Sequence, residues 1–259
     1  MRSILCPADS SKSFPCRLET ALSLARVMRG HLTLQIATPI AQIAAWEPFG
    51  GAVISATAIS QARDDDEKLA KTLATQLGSQ DVPFSVELVD DARAFALASA
   101  SRFADVIVMS IADPALEDVA LTVRCPVLAL PGDKPLANFA GPVLVAWDGG
   151  PEAAAALRAA LPLLRIAGQI HVVTVREKQS DFPATDALSY LSRHEVHAEL
   201  HEVVASGSIA DAIVETAKRL GAQMIVMGVF GHSRLRELLM GGVSRDLLDK
   251  SEVPLLLAH

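Results

Sequence analysis

Val143-Leu144-Val145-Ala146-Trp147-Asp148-Gly149-Gly150 is an unbroken apolar run that ends in an acid and two glycines. Ile4-Leu5-Cys6-Pro7-Ala8-Asp9-Ser10-Ser11 has the same form near the start of the chain. The likeness continues in order. Ala104-Asp105-Val106-Ile107-Val108-Met109 matches Ala222-Gln223-Met224-Ile225-Val226-Met227, and Cys125-Pro126-Val127-Leu128-Ala129-Leu130 matches Val253-Pro254-Leu255-Leu256-Leu257-Ala258. A repeat of this length means two copies of one unit. Pro131-Gly132-Asp133-Lys134-Pro135 through Gly141-Pro142 is the punctuated linker between them, which divides the chain into domains at 1–137 and 138–259.

Continuous apolar runs such as Val143–Trp147 suit strands covered on both faces. They alternate with stretches of helical spacing: 151–164, with Pro151 suited to a first turn, then 184–193, 208–220 and 243–250. The intervening strands fall at 169–175, 194–204, 222–227 and 254–258. Strand–helix alternation predicts an α/β fold with a parallel sheet and right-handed crossovers in each half.

Composition narrows the function. The 259 residues are 51% hydrophobic and 20% charged, which excludes intrinsic disorder. A net charge of -7 argues against a nucleic-acid face, which needs clustered Lys and Arg. Cys6, Cys16 and Cys125 are too few and too scattered for a disulfide framework or a zinc ribbon, so a reducing, cytoplasmic setting is expected. No apolar stretch reaches the roughly 18 residues that span a bilayer, and residues 1–11 do not have the pattern of a signal peptide.

In a parallel α/β sheet ligands bind beyond the carboxyl ends of the strands, where strand order reverses. Asp148 ends one such strand. The segment from Gly228 to Ser244 follows another, with Gly231, Gly241 and Gly242 able to bring backbone close to a ligand. Gly241-Gly242 precedes a helix whose first amides lack partners, a ready anion site. His232, Arg234, Arg236 and Arg245 add local positive charge. The reading is a phosphate cradle with Asp148 as the hydroxyl-accepting carboxylate across the cleft, although Asp148 also fits a plain helix cap.

The spacing Gly228-x2-Gly231-x9-Gly241 after Ile225-Val226-Met227, with the ending Glu252-Val253-Pro254-Leu255-Leu256-Leu257, resembles the universal stress protein family, and the two halves resemble a tandem-domain member. That resemblance implies a Rossmann-like, five-stranded parallel sheet of order 3-2-1-4-5 flanked by helices in each domain. It also implies ATP as a regulatory ligand, with magnesium accompanying the phosphates. Asp148 would face the ribose and the Val175 backbone the adenine. Met227, Gly228, Gly231, Gly241, Gly242, Val243 and Ser244 would line the ribose and phosphates. The family pattern ends G-[S/T], whereas here Gly242 stands at the hydroxyl position. A hydrogen bond to a charged group contributes about 1.5–3 kcal/mol, or roughly ten- to a hundredfold in affinity. Millimolar cellular ATP fills a site weakened by that much, and Ser244 is a second source of a hydroxyl.

The first half departs from the pattern. After Met109 it reads Ser110-Ile111-Ala112-Asp113-Pro114-Ala115-Leu116-Glu117-Asp118, with acids where glycines would be. It is expected to bind no nucleotide, to keep Asp9 as a structural residue, and to pack on the second half as a pseudo-dimer, with further homodimerisation open.

Other features have two readings. His197, Glu199 and His201 alternate along one strand and so share a face. This is a zinc-compatible set, but a polar edge strand accounts for it and no metal is expected. Asp64-Asp65-Asp66-Glu67 reads as a helix start. Cys16, after Pro15, is either an activated or a merely buried thiol. Trp147 fits burial beside the sheet better than stacking on a base. No P-loop or G-x-G-x-x-G fingerprint is present, and Gly231-His232-Ser233 lacks the second glycine of a hydrolase elbow. No catalytic residue is therefore assigned. A nucleotide-free interaction module is the alternative, as is a weak ATPase relying on His232 or Glu237.

Overall fold

The computed structural model describes residues 1–45, 52–175, 183–205, 207–229 and 242–259. The first half runs β1 (Ser3–Pro7), α1 (Phe14–Met28), β2 (His31–Ala37), α2 (Ile40–Ala45), α3 (Ala52–Leu77), β3 (Phe84–Val89), α4 (Arg93–Ala100), β4 (Val106–Ser110), α5 (Leu116–Thr122) and β5 (Val127–Leu130). The second runs β6 (Val143–Ala146), α6 (Pro151–Leu164), β7 (Ile170–Val175), α7 (Ala184–Arg193), β8 (Glu199–Val203), α8 (Ile209–Arg219), β9 (Met224–Gly228), α9 (Gly242–Lys250) and β10 (Leu255–Ala258).

All ten strands join one sheet in the order β3-β2-β1-β4-β5-β10-β9-β6-β7-β8. Each half is thus a five-stranded set of order 3-2-1-4-5, as the resemblance implied. Pairing is parallel within each half, and β5 meets β10 antiparallel, with Leu128 opposite Leu256. Two strands that would otherwise be open edges cover each other there. Because that one pairing is antiparallel, the carboxyl ends of the two strand sets lie on opposite edges of the sheet. The exposed edges are β3 and β8, whose residues are half-buried or exposed.

The near-continuous apolar strands are explained by helices on both faces. One core layer combines the inward stripes of α1, α3, α6 and α7, and the other those of α4, α5, α8 and α9. Both layers run through both halves, so the repeat is buried as one three-layer body. Trp147 lies in the first layer and is buried beside the sheet.

The sequence reading is corrected at Asp64–Glu67. These residues do not start a helix but lie inside α3. The acids sit on its outer surface, and Asp66 turns back to accept a hydrogen bond from the Thr38 hydroxyl. Long α3 needs no acidic start, because its inward residues Leu73 and Leu77 anchor it in the core.

Candidate functional site

β6 lies between β7 and β9, so the crossovers leaving it and β9 diverge at this point of the sheet. This is the switch point at which an open α/β sheet leaves a crevice. Asp148, exposed, follows β6. Val175 ends β7, half-buried. Met227, buried, and Gly228 end β9, and Gly242, Val243 and Ser244 form the first turn of α9. Strand–helix–strand connectivity from β9 through α9 to β10 puts the start of α9 on the same edge as these strand ends. Gly231 and Gly241, with His232, Ser233, Arg234, Arg236 and Glu237, lie outside the described residues.

Asp148 has a capping role as well as its position. Its Oδ1 accepts a hydrogen bond from the Gly150 amide at 2.8 Å, closing an Asx turn that starts α6. Gly149 turns the chain there with φ 79°, a conformation that favours glycine. Gly228 also has a packing reason: a Cβ on it would lie 2.5–2.8 Å from the backbone of Glu152 and Ala153. The glycine lets the first turn of α6 press against the end of β9. A Cβ on Gly242, in contrast, would meet nothing within 4 Å among the described residues. Ser244 is buried on the same stripe of α9 as Leu247 and Leu248. Arg245 reaches across to the first half and pairs with Glu117 of α5 at 3.1 Å.

The equivalent edge of the first half is closed by charge. Arg17 of α1 is 1% exposed. It donates to Asp9 Oδ2 at 2.8 Å, to the Ser13 hydroxyl at 2.8 Å and to the Pro7 carbonyl at 3.2 Å. Arg93, at the start of α4, lies 2.8 Å from the same Asp9 oxygen and 2.7 Å from Asp113. Two acids and two arginines thus interlock beyond β1 and β4. Burial pushes the Asp9 carboxyl up, but the Ser11 hydrogen bonds and then Arg17 outweigh it and hold it below the usual carboxylate range. Asp113 is therefore not a free repelling charge, as its sequence suggested, but a buried partner of Arg93. Where α1 carries Arg17, the start of α6 is the run Ala153-Ala154-Ala155-Ala156. Sequence reading missed Arg17 and Arg93 because nothing local marks them; only their shared carboxylate does. Cys16 is buried, and burial raises its thiol, so it is not activated.

On β8, Glu199 and His201 share a face as predicted, but His197 is exposed and precedes the strand. Their companion is His171 on neighbouring β7, directly opposite Glu199. Burial first, and then His201, lowers the His171 imidazole below the usual histidine range.

The sequence profile of the universal stress protein family matches residues 140–259. The stress response protein NhaX of Bacillus subtilis is 38% identical over 90 residues, which take in 30% of this chain; the match spans about half, 54%, of that relative. A universal stress protein from Archaeoglobus fulgidus superposes with a TM-score of 0.77 over 98% of this chain and 97% of its own, at 18% identity. A functionally unknown protein from Pseudomonas aeruginosa PAO1 gives 0.65 over 100% and 92%, at 19% identity. The fold is therefore shared end to end, and residues 140–259 carry the sequence profile of the universal stress protein family.

Proposed function

We propose that the chain is a stress-response protein of two domains, 1–137 and 138–259, which binds ATP in the second alone as a regulatory ligand. The observation that carries this reading is the contrast between the two strand-end edges. In the second half α9 opens on Gly242, where an added Cβ would meet nothing within 4 Å among the described residues, on the edge that also holds Asp148. In the first half the corresponding edge, on the opposite side of the sheet, holds the Asp9–Arg17–Arg93–Asp113 network.

The donor set suits a nucleotide. The first amides of α9, at Gly242 and Val243, present hydrogen-bond donors and the positive end of a helix dipole to phosphate. The Asp148 carboxylate accepts from ribose hydroxyls, and the Val175 backbone offers the hydrogen bonds that an adenine edge needs. Gly231 and Gly241 would complete the phosphate loop, with magnesium neutralising the phosphates. Ser244 contributes packing to α9 rather than a hydroxyl to the phosphates, since it is buried with Leu247 and Leu248. Binding then rests largely on backbone amides, and in this reading ATP is a regulatory ligand. Cytoplasmic residence and further pairing of chains belong to the same proposal. Among the described residues no helix is long and apolar enough to cross a membrane.

Isothermal titration with Mg-ATP, together with phosphate-release kinetics, tests the reading. Binding at micromolar to millimolar ATP with no phosphate release above buffer is expected. No heat at millimolar ATP, or unchanged binding in Gly231→Asp, contradicts it. A nucleotide-free interaction module is the second reading, favoured by the exposed Phe95 and Phe103 beside α4. A stoichiometric protein partner held by the chain without nucleotide, and lost in Phe103→Ser, would support that alternative.

A further inference from the structure

The edge strand β8 and its neighbour β7 bring three metal-ligating side chains together on the sheet face covered by α8. His171 Nδ1 lies 3.1 Å from His201 Nε2. Glu199 Oε2 lies 3.6 Å from His171 Nδ1 and 3.7 Å from His201 Nε2. The triangle is fixed by register: His171 pairs with Glu199, and His201 lies two residues further along, opposite Val173. Side chains of alternate residues on paired strands point the same way.

Two imidazole nitrogens at 3.1 Å share either a proton or a cation. The spacing of the three atoms also accommodates the cation. Three atoms so placed have a common point about 2.0 Å from each, the length of a zinc–nitrogen or zinc–carboxylate bond. Tetrahedral zinc at that bond length spaces its ligands by about 3.3 Å. The His171 side chain is 6% exposed, and its Nε2 is buried with no hydrogen-bond partner among the described residues. The other two ligands open the site to solvent, with His201 at 22% and Glu199 at 75% exposed, so an ion has a way in.

We infer that His171, Glu199 and His201 form a zinc site that clips the edge strand β8 to β7, with water in the fourth coordination position. Two imidazoles and one carboxylate select a borderline ion such as Zn2+ over Mg2+ or Ca2+, which take oxygen sets. Nothing in this site depends on the nucleotide. It faces the α8 layer and takes its ligands from the amino-terminal part of β7 and β8, away from the carboxyl ends of the strands.

The test uses the full chain, with any affinity tag removed, titrated with Zn2+ against a chromophoric chelator and with Co2+ by visible spectroscopy. The expected result is one ion per chain, tetrahedral cobalt absorption, and a zinc-dependent rise in thermal midpoint. His201→Ala and Glu199→Gln should each weaken zinc by about a hundredfold or more, since even the loss of a ligand's supporting partner costs 10–100-fold. His197→Ala, which changes an exposed residue outside the triangle, should leave affinity unchanged. Circular dichroism confirms folding, and Glu199→Gln decides the matter should His201→Ala not fold, because Glu199 is largely in water. Absence of stoichiometric zinc, or equal weakening by His197→Ala, or wild-type affinity in Glu199→Gln, would overturn the site.

Discussion

The Arg17 guanidinium lies 2.8 Å from the Asp9 carboxylate, in a place where water hardly reaches it. This pair occupies the strand-end edge of the first half, where its sequence twin in the second half leaves alanines and a glycine-led helix. One fold thus carries two different edges: an internal ion network in the first half and a glycine-led helix start in the second.

Removing Arg17 should cost the fold, not free a nucleotide site. Breaking a buried pair typically destabilises by about 3–5 kcal/mol. Arg93 still faces Asp9, so Arg17→Met should lose roughly 2–3 kcal/mol in urea unfolding. ATP stoichiometry should stay at its wild-type value, because glycines and a free helix start remain missing after Ser110.

Gly228→Ala tests the close approach of α6 to β9. Its Cβ would sit 2.5–2.8 Å from the backbone of Glu152 and Ala153, which have no flexible end to give way. Overpacking of this kind costs about 1–3 kcal/mol, measurable as a lowered urea midpoint. A stability equal to wild type would show that the β9 end and α6 are further apart than described.

The pH dependence follows from the carboxylates. Asp9 titrates below its ordinary 3.8 in the fold. A lowered folded pKa contributes stability above pH 4 that is lost as pH falls through the folded value. Acid unfolding should therefore begin below about pH 4, and Asp9→Asn should flatten that limb. At the other end of the chain, Lys250 donates to Asp211 at 2.7 Å, and Ser208 and Asp211 form a reciprocal capping box at the start of α8. The Lys250 hydrogen bond, then that of Ser208, bring Asp211 down to about 2. In NMR titration Lys250→Met should move the Asp211 midpoint back up towards 3.8.

Much of this architecture was legible beforehand because its signals are local. The helices 151–164 and 184–193 matched to the residue, since Pro151 and the apolar stripes fix their phase and ends. Strand order came from family resemblance, not periodicity, and β5–β10 pairing has no sequence signature at all. The placement of Asp148 after β6 and of Gly242 at the start of α9 was legible, because their neighbours in sequence define it. Arg17 with Arg93, and His171 with Glu199, were not, because each pair is made by strands or helices that only the folded sheet brings together. The packing of Gly228 against the first turn of α6 was not legible, because it joins segments far apart in the chain.

Gly242→Ser restores the hydroxyl of the family pattern at a position with room for it. If that hydroxyl reaches phosphate, it should tighten ATP by about ten- to a hundredfold, read by titration calorimetry. Tightening of less than twofold would mean that phosphates do not approach the start of α9.

Native mass spectrometry of the intact chain with Mg-ATP, beside Gly242→Asp, bears most directly on the claim of a single working edge. An added Cβ there meets nothing within 4 Å among the described residues, and the acid falls in a first helical turn, where the dipole favours it, so the fold should survive while phosphate is repelled. The account predicts one nucleotide per wild-type chain and none on Gly242→Asp. Two nucleotides per chain, or one still bound to Gly242→Asp, would contradict it.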